Sequence, residues 1–351
     1  MELDDTERPQ GTSPLRRFHT RIVVAAVAAA VAAAVAAGLA FAETRPAPIG
    51  NGIVVIDTDL AYQNGQAAGT GMVLTSSGVV LTNNHVIRNA TTIKIVVPST
   101  GRSYSASVVG YDATDDVAVL QATDASNLKT VSLGNSADVS NGQSVTAVGN
   151  AGGTGSLTHA SGKVTDVNRA ITVSDDQGGS ENLSGLIETN ASVQPGDSGG
   201  PLLNAAGQVI GMDTAASTSQ GYGFDQTTTS DGYAIPINKA LPIALRIESG
   251  NASSTIHIGS TPFLGVEVTS SDYGSSGAAI SSVVSGSPAD NAGLVPGDLI
   301  TSVDGHAVSS PTGLTTIISA EKSGASVSIT YVDQSGATQT ANVTLGSGPP
   351  R

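Results

Sequence analysis

From about residue 52 to 236 the apolar positions fall in short β-branched runs, at 53–56, 71–75, 79–82, 92–97, 106–111, 117–122, 144–149, 187–190 and 208–212. β-Branched side chains pack well on a pleated surface, so each run predicts a strand. Turn-forming residues part them, among them Ser76-Ser77-Gly78, Pro98-Ser99-Thr100-Gly101 and the segment 150–155. Strands of this number and spacing predict a barrel or a sandwich. One helix is predicted here, from Ile237 to Glu248, closed by Gly250. A polar stretch, 249–261, leads to a second pattern. Its strands are predicted near 264–269, 278–284, 298–303, 326–332 and 339–345, with short helices near 288–292 and 311–320. Residues 346–351 read as a frayed tail. No internal repeat is visible.

The amino-terminal pattern differs. Arg16, Arg17 and Arg21 precede an uncharged apolar run of 21 residues, 22–42, about the length of a membrane-spanning helix. The run is mostly Ala and Val. It ends in Ala40-Phe41-Ala42, which satisfies the small-x-small rule for signal peptidase. A signal peptide cleaved near Ala42 and a retained membrane anchor both fit. In either case the basic residues ahead of the run place the rest of the chain outside the cytoplasm. Residues 1–21 are then a cytoplasmic tail or n-region, and 43–51 an extended linker.

Composition narrows the chemistry. The 351 residues suggest two folded domains. Aromatic residues make up only 3% and Trp is absent, so the cores must be built from Val, Ile, Leu and Ala. The 42 glycines suit the many turns of β domains. A net charge of −14 argues against a nucleic-acid partner, since no basic patch is available for phosphates. The chain has no Cys, which excludes disulfides, thiolate catalysis and cysteine metal sites. The five His are scattered without ligand spacing, so no metal site is expected.

Three short motifs carry candidate chemistry: Thr82-Asn83-Asn84-His85-Val86, Asp115-Asp116-Val117 and Pro195-Gly196-Asp197-Ser198-Gly199-Gly200. A serine between glycines suits an acyl-transfer nucleophile. The backbone can bend sharply there, and its N–H groups can face a reacting carbonyl. His85 would take the Ser198 proton as that oxygen attacks a peptide carbonyl. Asp116 would hold the other imidazole nitrogen and stabilise the imidazolium. Asp116 is preferred to Asp115 because it abuts the strand at 117–120 and lies nearer the core. Backbone N–H groups of Gly196 and Ser198, with Asp197 as a further candidate, would form the oxyanion hole, each donor worth about 3 kcal/mol. The three side chains lie 31 and 82 positions apart, so two barrels laid side by side would have to bring them together. No cofactor is required.

Histidine, then aspartate, then serine is the chain order of chymotrypsin-like proteases, whereas α/β-hydrolases run serine, acid, histidine. With these motifs, the block 70–85 and Gly232-Tyr233-Ala234-Ile235-Pro236-Ile237, the chain resembles HtrA/DegP-type serine proteases over about residues 52–346. The blocks 186–204, 208–216 and 256–266 and the ending Val343-Thr344-Leu345 resemble the actinobacterial PepA-type branch. The resemblance implies a mainly β fold. A chymotrypsin-like double β-barrel protease domain would span 52–250, a linker 251–261 and a small α+β PDZ domain 262–346. Outside the resemblance, the apolar run 22–42 predicts one N-terminal hydrophobic helix, and 347–351 a tail. The resemblance also implies catalytic roles for His85, Asp116 and Ser198, assembly as a homo-trimer, and unfolded proteins as substrates in quality control. Two positions depart from the pattern: many relatives have Asn where Asp197 and Asp213 stand.

Specificity is readable in part. A trypsin-like enzyme carries an acid about six residues before the nucleophile, and here that place is Ser192, followed by Val193. Ala215 and Ala216 form the other expected pocket wall, so a small or medium aliphatic residue is expected before the scissile bond. In the second unit, Phe263-Leu264-Gly265-Val266 matches the carboxylate-binding loop of PDZ domains, and the segment 293–300 fits their core pattern. Leu264, Gly265 and Val266 are therefore expected to bind peptide C-termini or unfolded segments. Two rival readings belong to other classes. One is a peptide-binding chaperone with a latent protease site. The other is an α/β-hydrolase esterase, which would need a His after the serine and parallel strands alternating with helices.

Overall fold

The computed structural model describes residues 50–63, 65–174, 180–214, 232–270 and 276–350. The expected helix at 22–42 and the wall residues Ala215 and Ala216 lie outside them. Six strands open the fold: β1 (Ile53–Leu60), β2 (Gly65–Val73), β3 (Val79–Thr82), β4 (Thr92–Val97), β5 (Arg102–Asp112) and β6 (Val117–Ala122). They pair in the order β5-β4-β1-β2-β3-β6, and β6 pairs again with β5, so the sheet closes on itself. A one-turn helix, α1 (Asn84–Ile87), follows β3 and carries His85. A second closed barrel is built from β7 (Ser144–Gly149), β8 (Thr158–Ser174), β9 (Ser180–Thr189), β10 (Pro201–Asn204), β11 (Val209–Thr214) and β12 (Gly232–Pro236). Barrels, not a sandwich, are what the strand pattern builds.

Alternation along the strands explains the apolar runs. Successive side chains of a strand point to opposite faces. On β1, Val54 and Ile56 fill the first barrel, while Ile53 faces outward; on β6, Ala118 and Leu120 face in, while Val117 and Val119 face out. The outward set is buried as well. It packs with Val148, Leu186 and Tyr233 of the second barrel and with Ile237, Ala244 and Ile247 of α2 (Ile237–Glu248). Each Val, Leu or Ile side chain among them contributes about 1.5–3 kcal/mol on burial. The two barrels therefore share one core along their seam, and the seam fixes the elements that carry the candidate chemistry.

The end of α2 holds an unusual group. Both Glu248 carboxyl oxygens are buried without a hydrogen-bond partner, and burial pushes the carboxyl up to about 7. The negative end of the helix dipole opposes ionisation there too. Because the folded value lies above the unfolded one, the contribution is complete at low pH and is lost as pH rises towards and through 7. Glu248→Gln should leave the melting temperature unchanged at acid pH and raise it by about 3 °C at alkaline pH, as read by differential scanning fluorimetry.

Two expectations are corrected beyond the barrels. The stretch 251–261 is not a free linker: β13 (Ile256–Ile258) adds to β5, and Ile256 is buried in the shared core. The tail is not frayed either. β14 (Thr261–Phe263) pairs with Gly346–Gly348, and the Asn89 N–H donates to the Pro350 carbonyl at 2.8 Å. Tyr62 stacks on Phe263 with ring centroids 5.3 Å apart. Between these contacts lies a second sheet formed by β15 (Val266–Ser270), β16 (Ala278–Val283), β17 (Leu299–Val303), β18 (His306–Ala307), β19 (Ser326–Val332) and β20 (Thr338–Thr344). Helices α3 (Pro288–Asn291) and α4 (Pro311–Ala320) accompany it, each opened by a serine side chain that accepts a backbone N–H. Among the described residues no helix is long and apolar enough to cross a membrane.

Candidate active site

His85 and Asp116 meet in the first barrel. The ring Nδ1 lies 2.8 Å from Asp116 Oδ2, and the His85 backbone N–H donates to Oδ1 at 3.0 Å. Asp116 is 1% exposed, and Thr214 Oγ1 also donates to its Oδ2, at 3.4 Å. Asn83 Nδ2 holds the Asp116 carbonyl at 3.0 Å. These bonds suit the left-handed backbone of Asp116, whose φ is 53°. Few residues adopt that conformation, and Asp is among the better suited. With Nδ1–H given to the carboxylate, the neutral ring presents Nε2 as an acceptor. Asp115, one residue earlier, turns the other way and pairs with Lys239 Nζ at 2.8 Å.

The serine turn docks against this pair. The Thr70 N–H donates to the Ser198 carbonyl at 2.9 Å, and the Gly199 N–H donates to the Asp213 carbonyl at 2.8 Å, beside Thr214. Gly69 marks how closely the turn and α1 approach. A Cβ there would lie 2.6 Å from Val86 Cγ1 and 3.3 Å from the Ser198 carbonyl oxygen. Ser198 thus lies one residue's width from the helix that bears His85. Gly199 has a φ of 84°, and a Cβ on it would come within 2.1 Å of the Thr70 carbonyl oxygen. Only glycine fits there.

Every carbonyl from 195 to 198 is held. Pro195 accepts from the Gly152 N–H at 2.8 Å, Gly196 from Thr70 Oγ1 at 2.7 Å, Asp197 from the Gly200 N–H at 2.9 Å and Ser198 from Thr70. In a trans peptide the N–H points opposite to the C=O. The Gly196 and Ser198 N–H groups therefore face away from Gly152 and Gly200, on their own side of the turn. The Asp197 N–H is different: it donates to the Gln194 carbonyl at 2.9 Å and closes the turn. That bond removes Asp197 from the candidate oxyanion donors.

A trypsin-like peptidase domain matches residues 69–212, and a PDZ domain matches 262–345. Serine protease PepD of Mycobacterium tuberculosis is 35% identical over 84% of this chain and 63% of its own length. A probable periplasmic serine endoprotease, DegP-like, of Hahella chejuensis is 32% identical over 70% of this chain and 50% of its own. Serine protease Do-like HtrA of Lactococcus lactis is 31% identical over 79% of this chain and 70% of its own. The chain belongs to the HtrA family of serine proteases. It spans about six-tenths of the length of PepD.

Within this HtrA frame, Asp197 and Asp213 form a buried acidic pair behind the serine. Asp197 is 3% exposed; its Oδ2 accepts the Gln194 N–H at 2.9 Å and its Oδ1 has no partner. Burial raises its carboxyl above the ordinary range. Asp213 is fully buried, and neither carboxyl oxygen has a donor in hydrogen-bond geometry. Burial first, and the neighbouring Asp197 charge second, raise it well above the ordinary range; the Val148 amide gives only weak support.

The expected pocket is only partly drawn. Ser192 is exposed on a tight turn, in which the Val193 N–H donates to the Ala191 carbonyl at 2.8 Å. Val193 is half-buried against Gly232, where a Cβ would meet its Cγ2 at 2.5 Å. In the PDZ unit, Leu264 is buried, and the carbonyls of Leu264 and Gly265 accept from the Ala289 and Val284 N–H groups, each at 2.9 Å. The Gly265 and Val266 N–H groups then face the other way. They face a groove of about 210 Å³ bounded by Phe263, Val268, Leu314 and Ile318. β15 is the edge strand of its sheet, so its outer edge is open for pairing.

Sequence reasoning missed Thr70, Asn83 and Thr214. All three are buried polar residues beside apolar runs, and that misplaced polarity was the available signal.

Proposed function

We propose that this chain is an extracytoplasmic serine endopeptidase that hydrolyses exposed peptide segments of unfolded proteins through an acyl-enzyme. The observation that carries the reading is the buried Asp116 bound to His85 Nδ1, beside a serine turn whose carbonyls are all held. His85 Nε2 takes the Ser198 hydroxyl proton as that oxygen bonds to the substrate carbonyl carbon. The resulting oxyanion is held by the Gly196 and Ser198 N–H groups. The imidazolium then protonates the leaving amine, the C–N bond breaks, and an acyl-enzyme remains. Water, deprotonated by His85, attacks the ester and releases Ser198. The open edge of β15, with the Gly265 and Val266 N–H groups, binds the C-terminal end of a peptide as an added strand. The basic residues ahead of the run 22–42 support an extracytoplasmic site of action.

A fluorophosphonate probe tests the reading on the purified chain. Mass spectrometry should find the adduct on Ser198, and neither Ser198→Ala nor His85→Ala should take the label. A folded wild-type protein with no adduct at Ser198 would overturn it.

A further inference from the structure

We infer that Thr70 is a positioning residue for the nucleophile turn; the inference rests on the Ser198 reading above and assigns the group that sets the turn's geometry. Thr70 is fully buried on β2, at the seam of the two barrels. Its hydroxyl is used twice: it donates to the Gly196 carbonyl at 2.7 Å and accepts the Asn150 N–H at 2.9 Å. Its backbone is used twice as well. The N–H donates to the Ser198 carbonyl at 2.9 Å, and the carbonyl accepts Thr82 Oγ1 at 2.7 Å.

One residue of the first barrel thus grips the serine turn at two points and the 150–155 loop at a third. The grip on Gly196 matters most. Its carbonyl and the Asp197 N–H belong to one planar unit, and Thr70 and Gln194 hold the two ends. Asn150, anchored by Thr70, continues the arrangement: its side chain accepts the Gly155 N–H at 2.7 Å, and its carbonyl accepts the Gly153 N–H at 2.8 Å. Gly152 of that loop then holds the Pro195 carbonyl, which sets the direction of the Gly196 N–H. The Thr70 hydroxyl therefore orients the Gly196 donor by two routes, through the turn and through the loop. Gly196 lies directly against that loop, since a Cβ on it would come within 2.2 Å of the Asn150 carbonyl oxygen.

Thr70 touches no reacting atom, so its loss should spare ground-state binding and slow the chemistry. Thr70→Val keeps the shape and removes the hydroxyl. It should lower kcat for a fluorogenic peptide by about 10- to 100-fold, with KM within about threefold of wild type. The rate of fluorophosphonate labelling should fall with kcat. Thr70→Ser restores the hydroxyl and should recover most of both. A purely structural role would lower the melting temperature and the labelled fraction, yet leave the folded molecules reacting at the wild-type rate. If Thr70→Val does not fold, Thr70→Ser and Thr70→Cys replace it, because thiol is the weaker donor. The serine variant should then exceed the cysteine variant in kcat at equal KM. Equal kcat in that pair, or wild-type kcat in Thr70→Val, overturns the inference. Failure of the wild-type protein to label at Ser198 instead removes the reading beneath it, so the two failures are distinct.

Discussion

Asp116→Asn should lower kcat for peptide hydrolysis by about 10⁴-fold near neutral pH, with little change in KM. The carboxylate accepts at both oxygens, from the His85 amide and from the His85 ring. An asparagine offers one acceptor oxygen and one NH₂, so one of those donors loses its partner. If the amide nitrogen faces the ring, Nδ1 must become the acceptor and Nε2 carries the proton. That tautomer cannot take a proton from Ser198. Binding of the peptide involves neither group, which is why KM should hold. Asp115→Asn is the matched control. Asp115 pairs with Lys239 at the surface and should change kcat by less than about twofold. Steady-state kinetics on the two variants decides the matter. Loss of activity in Asp115→Asn with retention in Asp116→Asn would reassign the acid.

Much of the fold was legible because the barrels bury both faces of their central strands. The strands at Val79–Thr82, Thr92–Val97, Val117–Ala122 and Ser144–Gly149 have the limits that their apolar runs predicted. β8 was not legible. Its residues are largely polar and exposed, and it is held by backbone pairing with β7 and β9 rather than by an apolar face. The start of β2 was missed for a related reason: Gln66 and Ala67 are exposed and carry no period. Local signals sufficed to single out His85, Asp116 and Ser198, since each sits in a short motif of its own. The supports are long-range. Thr70 reaches partners 80 and 126 positions away, and no local pattern encodes that. The oxyanion donors were misjudged at Asp197 because peptide orientation depends on where each carbonyl finds its partner.

Asp213→Asn should flatten the loss of stability with pH and raise the melting temperature at pH 8 by roughly 5 °C. Two acids share a buried site behind Ser198, and three of their four carboxyl oxygens have no donor in hydrogen-bond geometry. Both carboxyls are raised above their ordinary value, Asp213 by burial and then by the Asp197 charge, Asp197 by burial. The folded chain therefore keeps protons that the unfolded chain releases. Their contribution is complete below the unfolded value and is lost as pH rises through the folded ones. Asparagine keeps the shape of Asp213 and has no charge to create. Asp197→Asn should act in the same direction, less strongly, because it already has the Gln194 N–H for one oxygen. The double variant should gain less than the sum of the two, since either change alone ends their mutual repulsion. Melting curves from pH 5 to 8 that run parallel for wild type and Asp213→Asn would show that the pair carries no such cost. A gain confined to the alkaline side would assign the cost to ionisation of the buried pair.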